Sequence, residues 1–257
     1  YAKLLTVAGL TGCFLFTSCR SAQETTARYE ISKVEGNMIT IDSTWDANPD
    51  KKATTVLKPY KDKVDAMMYE VIGTSEMKMD KGTPESLLSN LVASVLQEAA
   101  AQVLGKPADM GLVNMGGLRN ILPKGDITVG AVFEILPFEN SLCVLTMKGT
   151  DMKRLFKAIA SLHGEGVSGI RLEINKKGEL LNATIGGKPV VDDQLYTVAT
   201  IDYLADGNGR MDAFLQAEKR ECPEDATLRG LFLDYVRKQT AEGKIITSKL
   251  DGRITVK

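Results

Sequence analysis

Gly111-Leu112-Val113 runs straight into Asn114-Met115-Gly116-Gly117-Leu118-Arg119, and this junction constrains the fold more than any other stretch of the chain. A short apolar strand that meets two adjacent glycines has to turn there. The missing Cβ atoms let backbone N–H groups come close to whatever lies over the turn. Arg119 follows with a planar fork of donors, and Asn114 both donates and accepts. Two further segments continue in the same style, Gly125-Asp126-Ile127-Thr128 and Pro137-Phe138-Glu139-Asn140. The residues support two readings: a ligand-recognition surface, or a tight turn whose asparagine caps its own backbone. Composition leaves both open.

Regular patterns on either side of the junction give the fold class. Thr83-Pro84-Glu85-Ser86 predicts a helix start, with Thr83 as the cap, Pro84 at the first helical position and Glu85 in the first turn. Leu87, Leu88, Leu91, Val92, Val95 and Leu96 then form a broad apolar face. Residues 142–147 read as a strand, and Gly149-Thr150 opens a helix bearing Met152, Leu155, Phe156 and Ile159. Residues 170–174 alternate, turn at Lys176-Lys177-Gly178 and return over 180–185. A strand over 196–201 leads into a loop over 202–209, followed by a helix over 226–239 and a last strand over 254–256.

Nearer the N-terminus, Val71-Ile72-Gly73 reads as a strand. Tyr60, Val64, Met67 and Met68 fall at helical spacing, with Pro59 better suited to that helix's start than to its interior. Residues 46–50 read as a loop, and 29–41 predict a hairpin turning at Glu35-Gly36-Asn37. The expected architecture is one mixed α/β (α+β) layered domain over residues 68–257, preceded over 20–67 by a tether, the hairpin and a linker helix.

With 32 basic and 33 acidic side chains and no run of Lys and Arg, no net field draws the chain to nucleic acid. Residues 1–18 hold one charge, Lys3, around an apolar run too short for a membrane span of ~20 residues but suited to a secretory signal. Phe16-Thr17-Ser18-Cys19 gives way at once to Arg20-Ser21-Ala22-Gln23-Glu24, which resembles a bacterial lipobox and predicts that residues 1–19 end at a lipidated Cys19. Cys13 is the alternative, but Phe14-Leu15-Phe16 would make an odd mature terminus. The expectation is a lipid-anchored protein of the bacterial cell envelope. There, a disulfide between Cys143 and Cys222 is permitted, and a buried free thiol accounts for the same residues equally well.

His163 is the single histidine, so the chain cannot build a multi-histidine metal centre, and it carries neither a nucleophile elbow nor a phosphate-binding Walker loop. Phe138 follows a proline, and Tyr203 lies near Gly207-Asn208-Gly209. A core plug is the commoner role for a lone Phe. The sharper role is a stacking face for a flat ring, at ~1–3 kcal/mol per face.

In order along the chain, Asn114-x-Gly-Gly-Leu-Arg119, Gly125-Asp126-Ile127-Thr128, Pro137-Phe138-x-Asn140 and Lys148-Gly149 resemble the C-terminal domain of the 5′-nucleotidase family. Thr200-Ile201-Asp202-Tyr203-Leu204-Ala205-Asp206-Gly207 resembles that family's second signature, a strand followed by an aromatic and a Gly-Gly-Asp loop. The likeness runs from about Met68 to the C-terminus. It implies a nucleoside-recognition domain in which Asn114 and Arg119 contact the substrate across Gly116 and Gly117, while Phe138 and Tyr203 sandwich the base.

The resemblance places catalysis in a metallophosphatase domain with two metal ions and a catalytic histidine, and the residues ahead of Met68 contain no histidine. The expected division of labour gives this chain the nucleoside or nucleotide and no cofactor of its own. A separate metallophosphatase chain would supply the divalent metal pair that polarises the phosphate and activates water. The alternative is a non-enzymatic nucleoside-binding or interaction module. Three departures stand out: Tyr203 replaces the usual Phe; Gly209 replaces the loop aspartate, leaving Asn208 or Asp206 for a ribose; and Lys78, Lys81 and Gly82 stand where some members carry arginines.

Overall fold

The computed structural model describes residues 30–257; the expected signal over 1–19 with Cys13 and Cys19, the tether over 20–28 and the first residue of the hairpin lie outside them. Tyr1–Lys51 and Lys52–Lys257 form separate units. In the first, residues 30–41 carry neither strand nor helix and are all exposed, so the predicted hairpin is not seen among the described residues. An isolated two-stranded hairpin with no surface to bury is marginal in water. A 3₁₀ turn at Ser43–Ala47 follows, opened by Asp42 accepting the Thr44 N–H at 3.0 Å.

Helix α1, Lys51–Met68, begins at the boundary and lies otherwise in the second unit; it has no buried residue. Pro59 lies inside it, against the expectation of a helix start. On an exposed helix, solvent replaces the hydrogen bond that proline cannot donate. Strand β1, Val71–Ser75, follows, and then helix α2, Leu87–Ala99. Its cap is Ser86, not Thr83: the Ser86 hydroxyl accepts the Ser89 N–H at 3.3 Å. Glu85 is drawn instead into tertiary bonds, accepting from Asn90 Nδ2 at 2.6 Å and from the Asp251 and Arg253 N–H groups at 2.9 and 3.0 Å.

Strand β2, Met110–Val113, is buried throughout. Strand β3, Gly125–Thr128, pairs antiparallel with β1. It runs into helix α3, Val129–Ile135, a short helix that sequence periodicity leaves unread; Thr128 caps it by accepting the Ala131 N–H at 3.1 Å. Strand β4, Leu142–Lys148, leads into helix α4, Gly149–Ser161, as expected.

Strands β5 (Gly166–Ser168), β6 (Ile170–Ile174), β7 (Leu180–Ile185) and β8 (Lys188–Pro189) follow, with the β6–β7 hairpin where the alternation predicts it. Strand β9, Leu195–Ile201, ends in a short helix, Asp202–Ala205, where a loop was expected. Strand β10 (Lys219–Glu221), helix α5 (Leu228–Ala241) and strand β11 (Ile254–Val256) complete the chain.

The five-stranded sheet β10-β4-β9-β2-β5 sits at the centre, beside the four-stranded β11-β6-β7-β8 and the β1–β3 pair. Near-continuous burial along β2, β4 and β9 means that both sheet faces are covered, and α2 and α4 both pack against β9. The apolar stretch Leu87–Leu104 is long enough to cross a membrane by composition, but Leu88, Val92 and Leu96 are fully buried in the core. A disulfide joins Cys143 of β4 to Cys222, one residue beyond β10, so the pair continues the register in which Glu221 faces Val144.

The topology decides where a site can form. Strands β2 and β9 are parallel neighbours, so Asn114 and Asp202, just after each, emerge at one sheet edge. Strand β4 runs antiparallel to β9 with Leu142 opposite Ile201, which brings residues 140–141 to that edge. Strand β5 runs antiparallel to β2 with Gly166 opposite Val113, which adds Glu165.

Candidate functional site

Five of the residues singled out from sequence meet at this edge. Asn114, Gly116, Gly117, Phe138 and Tyr203, together with Asn140, line one cavity of about 360 Å³. That volume suits a small ligand. Phe138 is 49% exposed and Tyr203 44%, so neither is a core plug. Arg119 and Asn208 lie outside this lining. The Arg119 guanidinium donates to the Gly116 carbonyl at 3.3 Å, bracing the turn from its far side. Asn208 opens the 3₁₀ turn Asn208–Arg210, and Asp206, the other ribose candidate, is held by Arg220 at 2.6 Å.

The turn itself is a 3₁₀ turn, Met115–Gly117, closed by the Gly117 N–H on the Asn114 carbonyl at 3.0 Å. A methyl group on Gly117 would stand 3.0 Å from Asn114 Oδ1, so glycine here lets the amide fold down over the turn. Among the described residues, Asn114 Oδ1 is the buried side-chain oxygen left without a hydrogen-bond partner. An orphaned acceptor of this kind costs about 1–3 kcal/mol unless a donor reaches it. Lys81 Nζ donates to the Leu118 carbonyl at 2.5 Å, which places one of the lysines from the departing segment beside the turn.

The two aromatic-bearing loops are tied together. Asn140 Nδ2 donates to Asp202 Oδ1 at 2.9 Å, and the same oxygen accepts the Tyr203 N–H at 2.7 Å. One carboxylate therefore fixes the start of the Tyr203 helix to the loop that carries Phe138. From α5, the Arg229 guanidinium, 9% exposed, donates to the carbonyls of Leu136 and Pro137 at 3.1 and 3.2 Å and bonds Glu139, and it lies 4.1 Å over the Phe133 ring.

Glu139 is 72% exposed, so its ion pair adds little; the two carbonyls carry the effect. We expect Arg229→Met, which keeps the stem but removes the donors, to lower stability by about 2 kcal/mol in urea unfolding. Ligand affinity should fall about tenfold as the Phe138 loop loses its hold.

Sequence reasoning missed Arg229 and Glu165, which act across the fold; Asn140 was read within the Phe138 motif, but without a role of its own. Glu165 is 9% exposed and accepts the Met115 N–H. Burial pushes its carboxyl up to about 7, opposed by that N–H. His163, ahead of it, lies just past α4 in the left-handed region at φ 60°. Further grooves of about 320 and 690 Å³ lie around Gly169 and Gly186 and hold none of the predicted site residues.

Comparison with known proteins places these residues in context. Residues 71–216 match the family model described as the C-terminal domain of 5′-nucleotidase, a span that contains every cavity residue. The trifunctional nucleotide phosphoesterase YfkN of Bacillus subtilis is 27% identical over 238 residues, covering 85% of this chain and 16% of that protein. The cell wall protein Lmo0130 of Listeria monocytogenes is 27% identical over 240 residues, covering 82% of this chain and 30% of that one. Among solved structures, the 5′-nucleotidase precursor of Thermus thermophilus superposes with a TM-score of 0.68 at 26% identity, covering 82% of this chain and 44% of that chain. The chain thus spans less than half the length of these relatives.

Proposed function

This chain belongs to the 5′-nucleotidase family, whose C-terminal domain it carries, and on that premise we propose that it is the nucleoside- and nucleotide-recognition half of a 5′-nucleotidase whose phosphate-ester hydrolysis is done with a separate metallophosphatase chain. The observation that carries the reading is the convergence of Asn114, Gly116, Gly117, Phe138, Asn140 and Tyr203 on one cavity. Two exposed aromatic faces suit a planar base, and the Asn114 and Asn140 amides beside them suit its polar edge. Orientation of this kind contributes to rate without supplying the reacting groups.

The metal pair that the family implies does not fit the described residues. Among the described residues no three His, Cys, Asp or Glu side chains are placed to hold a metal ion. No hydrolytic step is therefore assigned to them. A second reading, a nucleoside-binding module that needs no catalytic partner, is favoured by the positions of Arg119 and Asn208, since the polar groups meant for ribose or phosphate stand outside the cavity that holds the base-stacking faces. The envelope location of relatives such as the Listeria cell wall protein supports placing this chain in the cell envelope, with lipidation of Cys19 as its anchor.

The deciding experiment is an AMP hydrolysis assay with divalent metal. The pure chain should be inactive, and activity should appear on mixing with a metallophosphatase encoded beside it. Hydrolysis by the pure chain would overturn the division of labour. No gain on mixing would leave the partner-free module.

A further inference from the structure

The cavity's glycine turn rests on a buried carboxyl. Glu165 precedes β5, whose first residue, Gly166, lies opposite Val113, the last residue of β2; the carboxyl therefore lies beneath the peptide that links Asn114 to Met115. It accepts the Met115 N–H, the donor next to Asn114. That bond fixes the peptide plane and with it the backbone angle that aims the Asn114 amide. The other end of the turn is anchored separately, by the Arg119 N–H on the Ile135 carbonyl at 2.9 Å.

The segment carrying Glu165 is itself locked. A Cβ on Gly164, at φ 120°, would stand 2.3 Å from the Pro84 carbonyl oxygen, and one on Gly166 would stand 3.0 Å from the Ser89 side chain. Glu165 is therefore wedged between the turn, the segment ahead of α2 and α2 itself.

We propose that Glu165 is a positioning residue of the cavity: by holding the Met115 N–H it sets the pose of Asn114, so nucleoside affinity follows whether this carboxyl is charged. The inference rests on the proposed nucleoside site. Charge strengthens the bond, because a carboxylate accepts an N–H roughly twice as strongly as a neutral group. Burial, opposed by the Met115 N–H, brings the titration to about 7. Ligand binding needs the aimed amide and so favours the charged form; affinity must then rise as pH passes upward through that value.

The charged and titratable groups on the packed elements are engaged elsewhere. Glu85, ahead of α2, is held by Asn90 and by the Asp251 and Arg253 N–H groups. Lys81, in the same segment, is bonded to Leu118, and Arg119 on the turn is bonded to Gly116. His163, on the same turn as Glu165, lies against Gly178.

The test is calorimetric titration of the whole chain with adenosine, which does not itself titrate between pH 5.5 and 8.5. Wild-type affinity should rise about fivefold across that range, a fold-change typical of a charge-assisted bond gained. Glu165→Gln keeps the shape and an acceptor oxygen but not the charge. It should bind at every pH as the wild type does at pH 5.5. His163→Gln should keep the wild-type profile. A flat wild-type profile, or a profile that disappears with His163 and persists in Glu165→Gln, overturns the inference while leaving the nucleoside site standing. No adenosine binding at any pH removes the site and the inference together. Should Glu165→Gln fail to fold, the wild-type and His163→Gln profiles alone decide.

Discussion

Phe138→Ala combined with Tyr203→Ala is expected to abolish adenosine binding while leaving the fold intact. Each stacked face contributes about 1–3 kcal/mol. The pair together is worth roughly 2–6 kcal/mol, a loss of about 30-fold to 10⁴-fold. The cost to folding is small, because the rings are 49% and 44% exposed and little packing is removed. The single variants should each weaken binding by about tenfold or more, and their effects need not add, because both rings face one cavity. Circular dichroism and urea unfolding establish the intact fold, and calorimetry reads the binding. A double variant that binds as well as the wild type means that these aromatics do not hold the base.

Removing the Cys143–Cys222 disulfide, by Cys143→Ala with Cys222→Ala, is expected to cost about 4 kcal/mol of stability. The bond closes a long loop, with a sequence separation of 79, and loop-closure entropy in the unfolded chain grows slowly with length. The enclosed segment contains α4, the β6–β7 hairpin, β9 and Tyr203. Without the bond, β10 is a short edge strand of largely exposed residues, held by its ladder to β4 and by exposed ion pairs such as Arg220–Asp206. For a unit of this size about 4 kcal/mol corresponds to roughly 10 °C in Tm. Thermal unfolding of the wild type with and without reductant should show the same shift as the double variant. Equal midpoints under both conditions would show that the bond adds no stability.

Strands β2, β4 and β9 of the central sheet were legible because their signal is local, whereas β5 and β10, three residues each, are too short to show one. The buried runs of β2, β4 and β9 and the alternation of β6 and β7 each read directly as strands, and the Thr128-capped α3 escaped only because it is too short for its period to show. The misread starts have tertiary causes. Thr83 and Ser86 are both good caps, and the choice fell to Ser86 because Glu85 is pulled towards Asp251 and Arg253 across the fold. The predicted hairpin rested on an alternation that slips by one position at Lys33-Val34, and residues 30–41 are exposed throughout.

For the site, the residues that face the cavity were readable, since motifs keep them together, whereas those that hold them in place were not. Glu165 reaches Met115 across 50 residues, Asn140 reaches Asp202 across 62, and Arg229 reaches Leu136 across 93. No local pattern announces such bonds. Arg119 shows the converse: it belongs to the motif, yet its guanidinium braces the turn and does not line the cavity.

We propose that the cavity beside Asn114 takes a nucleoside. Isothermal titration of the whole chain with adenosine, inosine and AMP tests it directly. Saturable heat with one ligand per chain is expected, and none from the Phe138→Ala/Tyr203→Ala variant. The absence of heat with all three ligands would contradict it.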